Sequence, residues 1–193
     1  MSEQPISRFP VPELSSLPAD MRERIESVQE KAGFVPNVFV ALAHRPDEFR
    51  AFFAYYDALM EREESSLTKA EREMIVVATS GANECHYCVV SHGALLRIYS
   101  KEPLLSDPVA INWRKAPVSA KQKVMLAFAV KIAVAAQEID DTDHQAMLDA
   151  GFDQDAIWDV GSIAAFFALS NRLAHLSDMQ PNAEFYTMGR EPR

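Results

Sequence analysis

The sequence predicts an all-α protein, a helical bundle of about seven to nine helices without a substantial β-sheet. The 193 residues include only 6 glycines, and residue types that favour helices dominate, namely Ala, Leu, Met, Glu, Arg and Lys. Apolar side chains recur at three- and four-residue steps in several long segments, as they do on one face of a helix. No segment shows the two-residue alternation that is typical of a strand.

Three helices are predicted in the first third of the chain from their boundary residues. Pro18 suits the first turn of a helix, and Gly33 suits the residue that follows its end. Asn37 can cap the second helix, and Pro46 opens the third. The third helix carries an apolar stripe that we interpret as core, with a pocket wall or a subunit interface as alternatives: Phe49, Phe52, Phe53, Tyr56, Leu59 and Met60. The predicted ranges are 18–32, 38–44 and 46–60.

Further helix starts are marked by capping boxes, in which Ser or Thr is followed three residues later by Glu or Gln. One box at 68–71 precedes an apolar run, and a second at 119–122 opens another long helix. We interpret 142–145 as a third box, whose short helix ends at Gly151. Asp153 caps the last helix. The predicted ranges are 68–82, 119–136, 142–151 and 153–176.

The length fits one domain. We predict an N-terminal arm at residues 1–16, a single helical domain at 17–177 and a C-terminal tail at 178–193. Within the domain, Pro103 and Pro108 predict an irregular link that continues to residue 113.

The last long helix is apolar nearly all round, which predicts a position at the centre of the bundle. The two tryptophans, Trp113 and Trp158, are interpreted as core side chains rather than as parts of a site.

The charge balance excludes several classes of partner. The formal net charge is −9, with 28 acidic against 19 basic residues, whereas nucleic acids and anionic membranes require a basic surface. No apolar run reaches 18 residues, so no membrane span is predicted. Residues 1–5 lack the basic start and apolar core of a signal peptide. We therefore expect a cytoplasmic protein that binds neither nucleic acid nor membrane.

Both cysteines of the protein lie in one short segment. Cys85 and Cys88 are separated by two residues, and His92 follows four residues later. On the helix predicted from Cys85 to about residue 99, with Asn83 or Glu84 as its cap, these three side chains share one face. Two thiols and an imidazole on one helical stripe indicate a redox site or a metal site.

The redox interpretation follows from thiol chemistry. Cys85 and Cys88 fall in the first turn of the predicted helix, where free N–H groups and the helix dipole favour a thiolate. Their spacing allows a disulfide with little backbone movement. One thiolate can attack an acceptor and the other can resolve the product as a disulfide, so neither a cofactor nor a metal is expected.

His92 can carry a proton between thiol and solvent, because its pKa lies near 6.5 in the absence of perturbation. Glu73 can form the other end of this relay. If the helices 68–82 and 85–99 pack antiparallel, Glu73 and His92 lie equally far from the turn, at roughly 1.5 Å per residue. The two side chains are then expected to meet with Cys88 beside them.

The pattern formed by Glu73, Cys85-His86-Tyr87-Cys88 and His92 resembles the alkyl hydroperoxidase D-like proteins of the carboxymuconolactone decarboxylase superfamily. More closely, the chain is similar to the group called peroxidase-related enzymes, and the similarity covers most of residues 20–176. Other segments that belong to it are Phe34-Val35-Pro36-Asn37, Ala41-Leu42-Ala43-His44-Arg45-Pro46, Glu71-Arg72-Glu73 and Asn171-Arg172.

The resemblance implies a helical bundle of that family's type, which assembles into dimers, trimers or hexamers. It also implies thiol-dependent reduction of small hydroperoxides, with restoration by an external dithiol or a thioredoxin-like reductant. Carried over by position, Cys88 is the peroxidatic thiolate and Cys85 the resolving thiol. His92 relays the proton and Glu73 acts as the base.

This chain departs from the hydroperoxidase pattern at one position. Tyr87 stands where that pattern has a second histidine, and His86 lies one place earlier, about 100° around the helix. Tyr87 and His86 are therefore candidates for the pocket or the relay.

Other interpretations of the same residues remain open from the sequence. The cysteines can be a buried structural pair, or can bind zinc together with His92, although no second CxxC supplies a fourth ligand. A lyase of the carboxymuconolactone type needs no cysteine pair. A non-enzymatic redox sensor is the remaining alternative.

Overall fold

The computed structural model of the chain describes residues 5–191, and this part contains nine α-helices and no strand. The all-α prediction is therefore confirmed. The helices are α1 (Ala19–Ala32), α2 (Asn37–Leu42), α3 (Pro46–Met60), α4 (Lys69–Ala82), α5 (His86–Ser100), α6 (Ser106–Asn112), α7 (Ala120–Ala135), α8 (Asp141–Asp149) and α9 (Gln154–Ser177). Short 3₁₀ turns lie at Leu14–Ser16, Trp113–Lys115, Ala136–Glu138 and Ala183–Tyr186.

Most helix boundaries follow the capping signals. Both reciprocal hydrogen bonds of a capping box are present at the starts of α4 and α7, and the Asp153 side chain accepts the backbone N–H of Ala156. The third predicted box is wrong by two residues, because Asp140 caps α8 and pairs with Asp143. An aspartate two residues upstream supplies the same acceptor and competes successfully with Thr142 for the cap.

The predicted irregular link at 103–113 contains a helix, α6, and this part of the prediction was wrong. Pro108 occupies the third position of α6. A proline in the first turn removes no intrahelical hydrogen bond, because the first N–H groups of a helix have no partner within it. Helix α6 packs closely on α4, where a Cβ on Gly81 would overlap the carbonyl oxygen of Ala110.

Helices α4 and α9 both contact several other helices, but α4 is buried more completely. It contacts α5, α6, α7 and α9, and all of residues 72–80 are buried. Helix α9 buries one side only, while Trp158, Leu169 and Leu176 are exposed on the other. Apolar residues all round a helix indicate that most of its surface is apolar, but they do not show whether that surface packs against the same chain.

The two tryptophans accordingly differ. Trp113 is buried, as predicted, but 74% of Trp158 is exposed, so its assignment to the core was wrong. The homo-oligomer expected from the resemblance stays a prediction.

The segments at the two ends of the described chain are joined to each other. The backbone N–H of Arg8 donates to the carbonyl of Ser177 at 2.7 Å, and that of Gln180 donates to Ile6 at 3.1 Å. The Phe9 ring stacks on His44, with 5.7 Å between ring centroids. The arm and the start of the tail thus form a clasp over one end of α9.

None of the helices in residues 5–191 combines the length and the apolar character that crossing a membrane requires.

Candidate active site

The turn between α4 and α5 places the two cysteines. Asn83 ends α4, and Glu84 adopts a left-handed conformation with φ of 54°. The backbone N–H of Cys85 then donates to the carbonyl of Ser80 at 2.9 Å, which closes the turn. Cys85 itself is the N-cap of α5, so the predicted cap by Asn83 or Glu84 was wrong. The Asn83 amide instead donates to Asn171 on α9.

Both cysteines are free thiols and both are buried, but their surroundings differ. Cys88 lines a cavity of about 650 Å³, as does His92. Cys85 lies behind it, among apolar side chains that include residues of the arm and the tail: Ile6, Val38, Ala41, Ala174 and Met179. A molecule in the cavity therefore meets Cys88 first.

The two thiols are coupled electrostatically. The Cys88 thiol donates a hydrogen bond to the Cys85 thiolate, which lowers the pKa of Cys85 to about 7. The same hydrogen bond, together with burial and the adjacent charge, raises the pKa of Cys88 well above its usual range. Above about pH 7 the pair thus holds one proton and one negative charge, and its first ionisation belongs to both sulfurs.

We expect one thiolate per chain to appear with a midpoint near pH 7, because the pKa of Cys85 is lowered to about 7, whereas an ordinary thiol titrates at about 8.5. The thiolate is present above this midpoint and becomes protonated below it. Ultraviolet thiolate absorbance across a pH titration measures this, with the Cys85→Ser, Cys88→Ser double variant as the blank. If no thiolate appears below about pH 8.5, the coupled pair is wrongly described.

Glu73 and His92 meet across the α4–α5 hairpin. The distance from His92 Nδ1 to Glu73 Oε2 is 2.7 Å, and Glu73 is buried. The Phe167 ring packs edge-on against His92, with 4.7 Å between ring centroids. Because Nδ1 is engaged by the carboxylate, Nε2 is the nitrogen available for proton exchange in the cavity. This arrangement can accept a proton from a thiol and return it to a leaving group.

Aromatic side chains form much of the cavity wall. Three of them, Phe52, Phe53 and Tyr56, belong to the stripe on α3, and the others are Phe39, Tyr99 and Phe167. The stripe is therefore shared between core and pocket, since Phe49 and Met60 are buried in the hydrophobic clusters. Burial and then the charge of Glu73 raise the pKa of Tyr56, and the same causes raise the pKa of Tyr99. Both phenols thus stay protonated as hydrogen-bond donors.

Comparison with known proteins places this arrangement in a family. The sequence profile of the carboxymuconolactone decarboxylase family matches residues 46–101, which span α3, α4 and α5. A crystal structure described as an alkylhydroperoxidase AhpD core, an uncharacterized peroxidase-related protein from Ralstonia eutropha JMP134, is 59% identical. It covers 99% of this chain and 100% of its own, with a TM-score of 0.97. The chain belongs to the AhpD-like group of the carboxymuconolactone decarboxylase family.

Two further structures extend the comparison. An uncharacterized peroxidase-related protein from Silicibacter sp. TM1040 is 39% identical, covering 98% of this chain and 99% of its own with a TM-score of 0.92. The debrominase Bmp8 in its apo form shares the AhpD-like fold at 16% identity, with 100% of both chains covered and a TM-score of 0.73. No protein with a curated function matches the chain in sequence.

Of the two pocket candidates of this AhpD-like chain, Tyr87 lies near the thiols and His86 does not. Tyr87 is buried, lines the cavity, and accepts the backbone N–H of Val38 at 3.1 Å. Burial raises the pKa of Tyr87, so its hydroxyl is neutral. His86 lies on the surface, 2.8 Å from the Tyr186 hydroxyl, and is not part of the cavity wall. The 100° offset between adjacent helical positions separates the two.

The zinc alternative lacks its ligands in this AhpD-like site. Within residues 5–191, no group of three or more His, Cys, Asp or Glu side chains is placed to hold a metal ion.

Sequence reasoning missed the contribution of α9. Ser170 Oγ lies 4.0 Å from Cys88 Sγ, and the Asn171 amide hydrogen-bonds to both Ser80 and Asn83. One signal was available, because a Ser-Asn pair interrupts an otherwise apolar helix. Its partners lie more than 80 residues away, so the sequence alone gives no reason to connect it with the cysteines.

Proposed function

We propose that this AhpD-like protein is a thiol-dependent peroxidase that reduces organic hydroperoxides through the Cys85–Cys88 pair. One observation carries the proposal: Cys88 opens on a large cavity beside the Glu73–His92 pair, while Cys85 lies directly behind it. The arrangement supplies a nucleophile, a resolving thiol and a proton carrier within two helices. The peroxidase-related names of its relatives are consistent with this chemistry.

In the first half-reaction, His92 takes one proton from the cysteine pair, the remaining proton stays on Cys85, and the Cys88 thiolate attacks the distal oxygen of the hydroperoxide. An S–O bond forms and the O–O bond breaks, so the alkoxide leaves with the bonding electrons. His92 returns the proton to this alkoxide while Glu73 stabilises the charged imidazole. The products are an alcohol and the Cys88 sulfenic acid, with sulfur oxidised by two electrons and the peroxide reduced by two.

In the second half-reaction, Cys85 releases its proton and its sulfur attacks the Cys88 sulfur. The S–S bond forms and the S–O bond breaks, and the departing hydroxide takes up the proton from Cys85 to leave as water. An external dithiol or a thioredoxin-like reductant then restores both thiols by disulfide exchange. It supplies two electrons and two protons and becomes a disulfide itself.

The cavity supports an organic rather than an inorganic peroxide as substrate. Its volume of about 650 Å³ is within the range of sites that hold drug-sized molecules. Arg24 lies at its margin in a bidentate ion pair with Asp57 and covers the Phe53 ring at 4.8 Å. Lys31 also lines the cavity. Because Arg24 is already paired and much of the wall is aromatic, the cavity favours a largely apolar molecule.

Single-turnover stoichiometry tests the proposal. We expect one equivalent of cumene hydroperoxide to consume two thiols of the reduced protein and to form one intramolecular disulfide, with a matching yield of the alcohol. Thiol titration and intact-protein mass spectrometry measure the two changes. Hydrogen peroxide should react about tenfold more slowly, because it gains little from burial of apolar surface in the cavity.

The matched control is Cys85→Ser, which should stop at the Cys88 sulfenic acid and be trapped there by a sulfenate-specific reagent. A protein that leaves the hydroperoxide unconsumed would contradict the proposal. A protein that oxidises once but is restored by no dithiol would instead fit a redox sensor.

A further inference from the structure

Helix α9 carries two polar side chains at the point where it faces the cysteines. Ser170 and Asn171 are 9% and 1% exposed, although their neighbours on the inward side are apolar. Buried polar groups destabilise a fold unless they find hydrogen-bond partners. Each of the two therefore requires a physical explanation from what it contacts.

Asn171 has two hydrogen-bond partners on the hairpin. Its amide nitrogen donates to Ser80 Oγ at 3.0 Å, and its oxygen accepts from the Asn83 amide at 2.9 Å. These bonds tie α9 to the turn that precedes Cys85. Asn171 is thus a positioning residue for the α4–α5 hairpin.

Ser170 has a different environment. In the described part of the chain its hydroxyl has one hydrogen-bond contact, Cys88 Sγ at 4.0 Å, and it lines the cavity together with that sulfur. A serine hydroxyl within a helix can bond to the carbonyl one turn earlier, as Ser177 does with Leu173 at 2.8 Å. The Ser170 oxygen instead lies against the thiol, a contact in which either group can be the donor.

The electrostatic coupling of the two thiols gives a hydrogen-bond donor beside Cys88 a function. Of the two sulfurs, Cys85 takes the charge more readily, since its pKa is lowered to about 7. Yet the cavity reaches Cys88 and not Cys85. Some of the shared negative charge must therefore move to Cys88 before a molecule in the cavity can be attacked. Hydrogen bonds from Asn171 and then from Ser170 lower the pKa of Cys88. Asn171 also lowers the pKa of Cys85, so Ser170 is the donor that acts on Cys88 alone and thereby favours this shift.

We propose that the Ser170 hydroxyl is a catalytic hydrogen-bond donor, which draws the charge of the cysteine pair onto Cys88 Sγ at the cavity wall. Its benefit for hydroperoxide reduction rests on the proposed function, but the ionisation of Cys88 can be measured without any peroxide. Ser170 contacts the reacting sulfur directly. The hydroxyl rotates freely, so it follows the sulfur without a change in the backbone.

The test measures the alkylation of Cys88 as a function of pH in a Cys85→Ser background, where a single thiol titrates. Ser170→Ala should raise the midpoint for Cys88 by about one pH unit and slow its alkylation at pH 7 about tenfold. With Cys85 present, the same substitution should lower kcat/KM for cumene hydroperoxide by a similar factor. Near-ultraviolet circular dichroism checks the fold of each variant.

Two comparisons isolate the hydroxyl. Ser170→Thr and Ser170→Val have nearly the same shape, so Thr should retain the wild-type midpoint while Val should behave like Ala. Ser177→Ala is the matched control on the same helix, because its hydroxyl serves a carbonyl and not a sulfur. It should leave the midpoint unchanged.

The inference fails if folded Ser170→Ala and Ser170→Val both titrate like the parent, or if Thr and Val shift the midpoint equally. Neither result depends on peroxide turnover. Conversely, absence of hydroperoxide consumption by the wild-type protein would remove the proposed function while leaving the ionisation measurement valid.

Discussion

Cys88→Ser should abolish hydroperoxide turnover, with kcat/KM reduced at least about a thousandfold, since removal of an enzyme's nucleophile can cost up to about a millionfold. Cys88 is the only one of the two thiols that lines the cavity. A serine hydroxyl in its place stays protonated near neutral pH and is a far weaker nucleophile. Steady-state peroxide consumption with dithiothreitol as reductant measures the effect.

Cys85→Ser provides the contrast for this prediction. It removes the resolving thiol but leaves Cys88 at the cavity, so one equivalent of hydroperoxide should still be consumed before turnover slows. Both substitutions exchange sulfur for a smaller oxygen at a buried site, and a thermal melt of each shows whether the fold survives. Wild-type turnover by a folded Cys88→Ser protein would exclude Cys88 as the nucleophile.

Glu73→Gln should lower kcat/KM by about a hundredfold, at the lower end of the usual contribution of general acid–base catalysis. The amide has the shape of the carboxylate but no charge. It therefore still contacts His92 Nδ1, now 2.7 Å from Glu73 Oε2, but no longer stabilises the protonated imidazole. The pH profile of kcat/KM should lose the limb that corresponds to the Glu73–His92 relay.

Glu71→Gln is the matched control for Glu73→Gln. It makes the same chemical change two residues earlier on α4, on a side chain that belongs to the capping box with Thr68. Glutamine serves equally well at that position of the box, so activity and stability should both be retained. If the Glu73 variant keeps the wild-type pH profile, the relay does not include this carboxylate.

Local signals in the sequence predicted most of the fold. The boxes that begin α4 and α7 act within four residues, and their hydrogen bonds form as the sequence indicates. Helix α6 was missed because Pro108 was interpreted as a breaker, although the first turn of a helix accommodates proline. The exposure of Trp158 could not be predicted, because apolar character gives no direction relative to the rest of the chain.

The candidate site, too, was predicted where the signal is local and missed where it depends on the packing of distant segments. Glu73 and His92 lie on consecutive helices at equal distances from one turn, so a simple antiparallel hairpin brings them together. Counting residues from the turn is enough to predict this contact. Ser170 and Asn171 reach the cysteines only through the packing of α9 on α4 and α5. Their register against that hairpin depends on the fit of many side chains, and no local pattern encodes it.

The clasp formed by the arm and the tail affects the order in which the oxidant, the alcohol and the reductant enter and leave the site. Ile6 and Met179 belong to the apolar cluster that buries Cys85, and neither of them lines the cavity, which Cys88 does. Under the proposed function, oxidant and reductant both reach the cysteine pair at Cys88, from the cavity. They therefore compete for the same space: the alcohol has to leave the cavity before the dithiol can bind there, and an excess of either reactant obstructs the other.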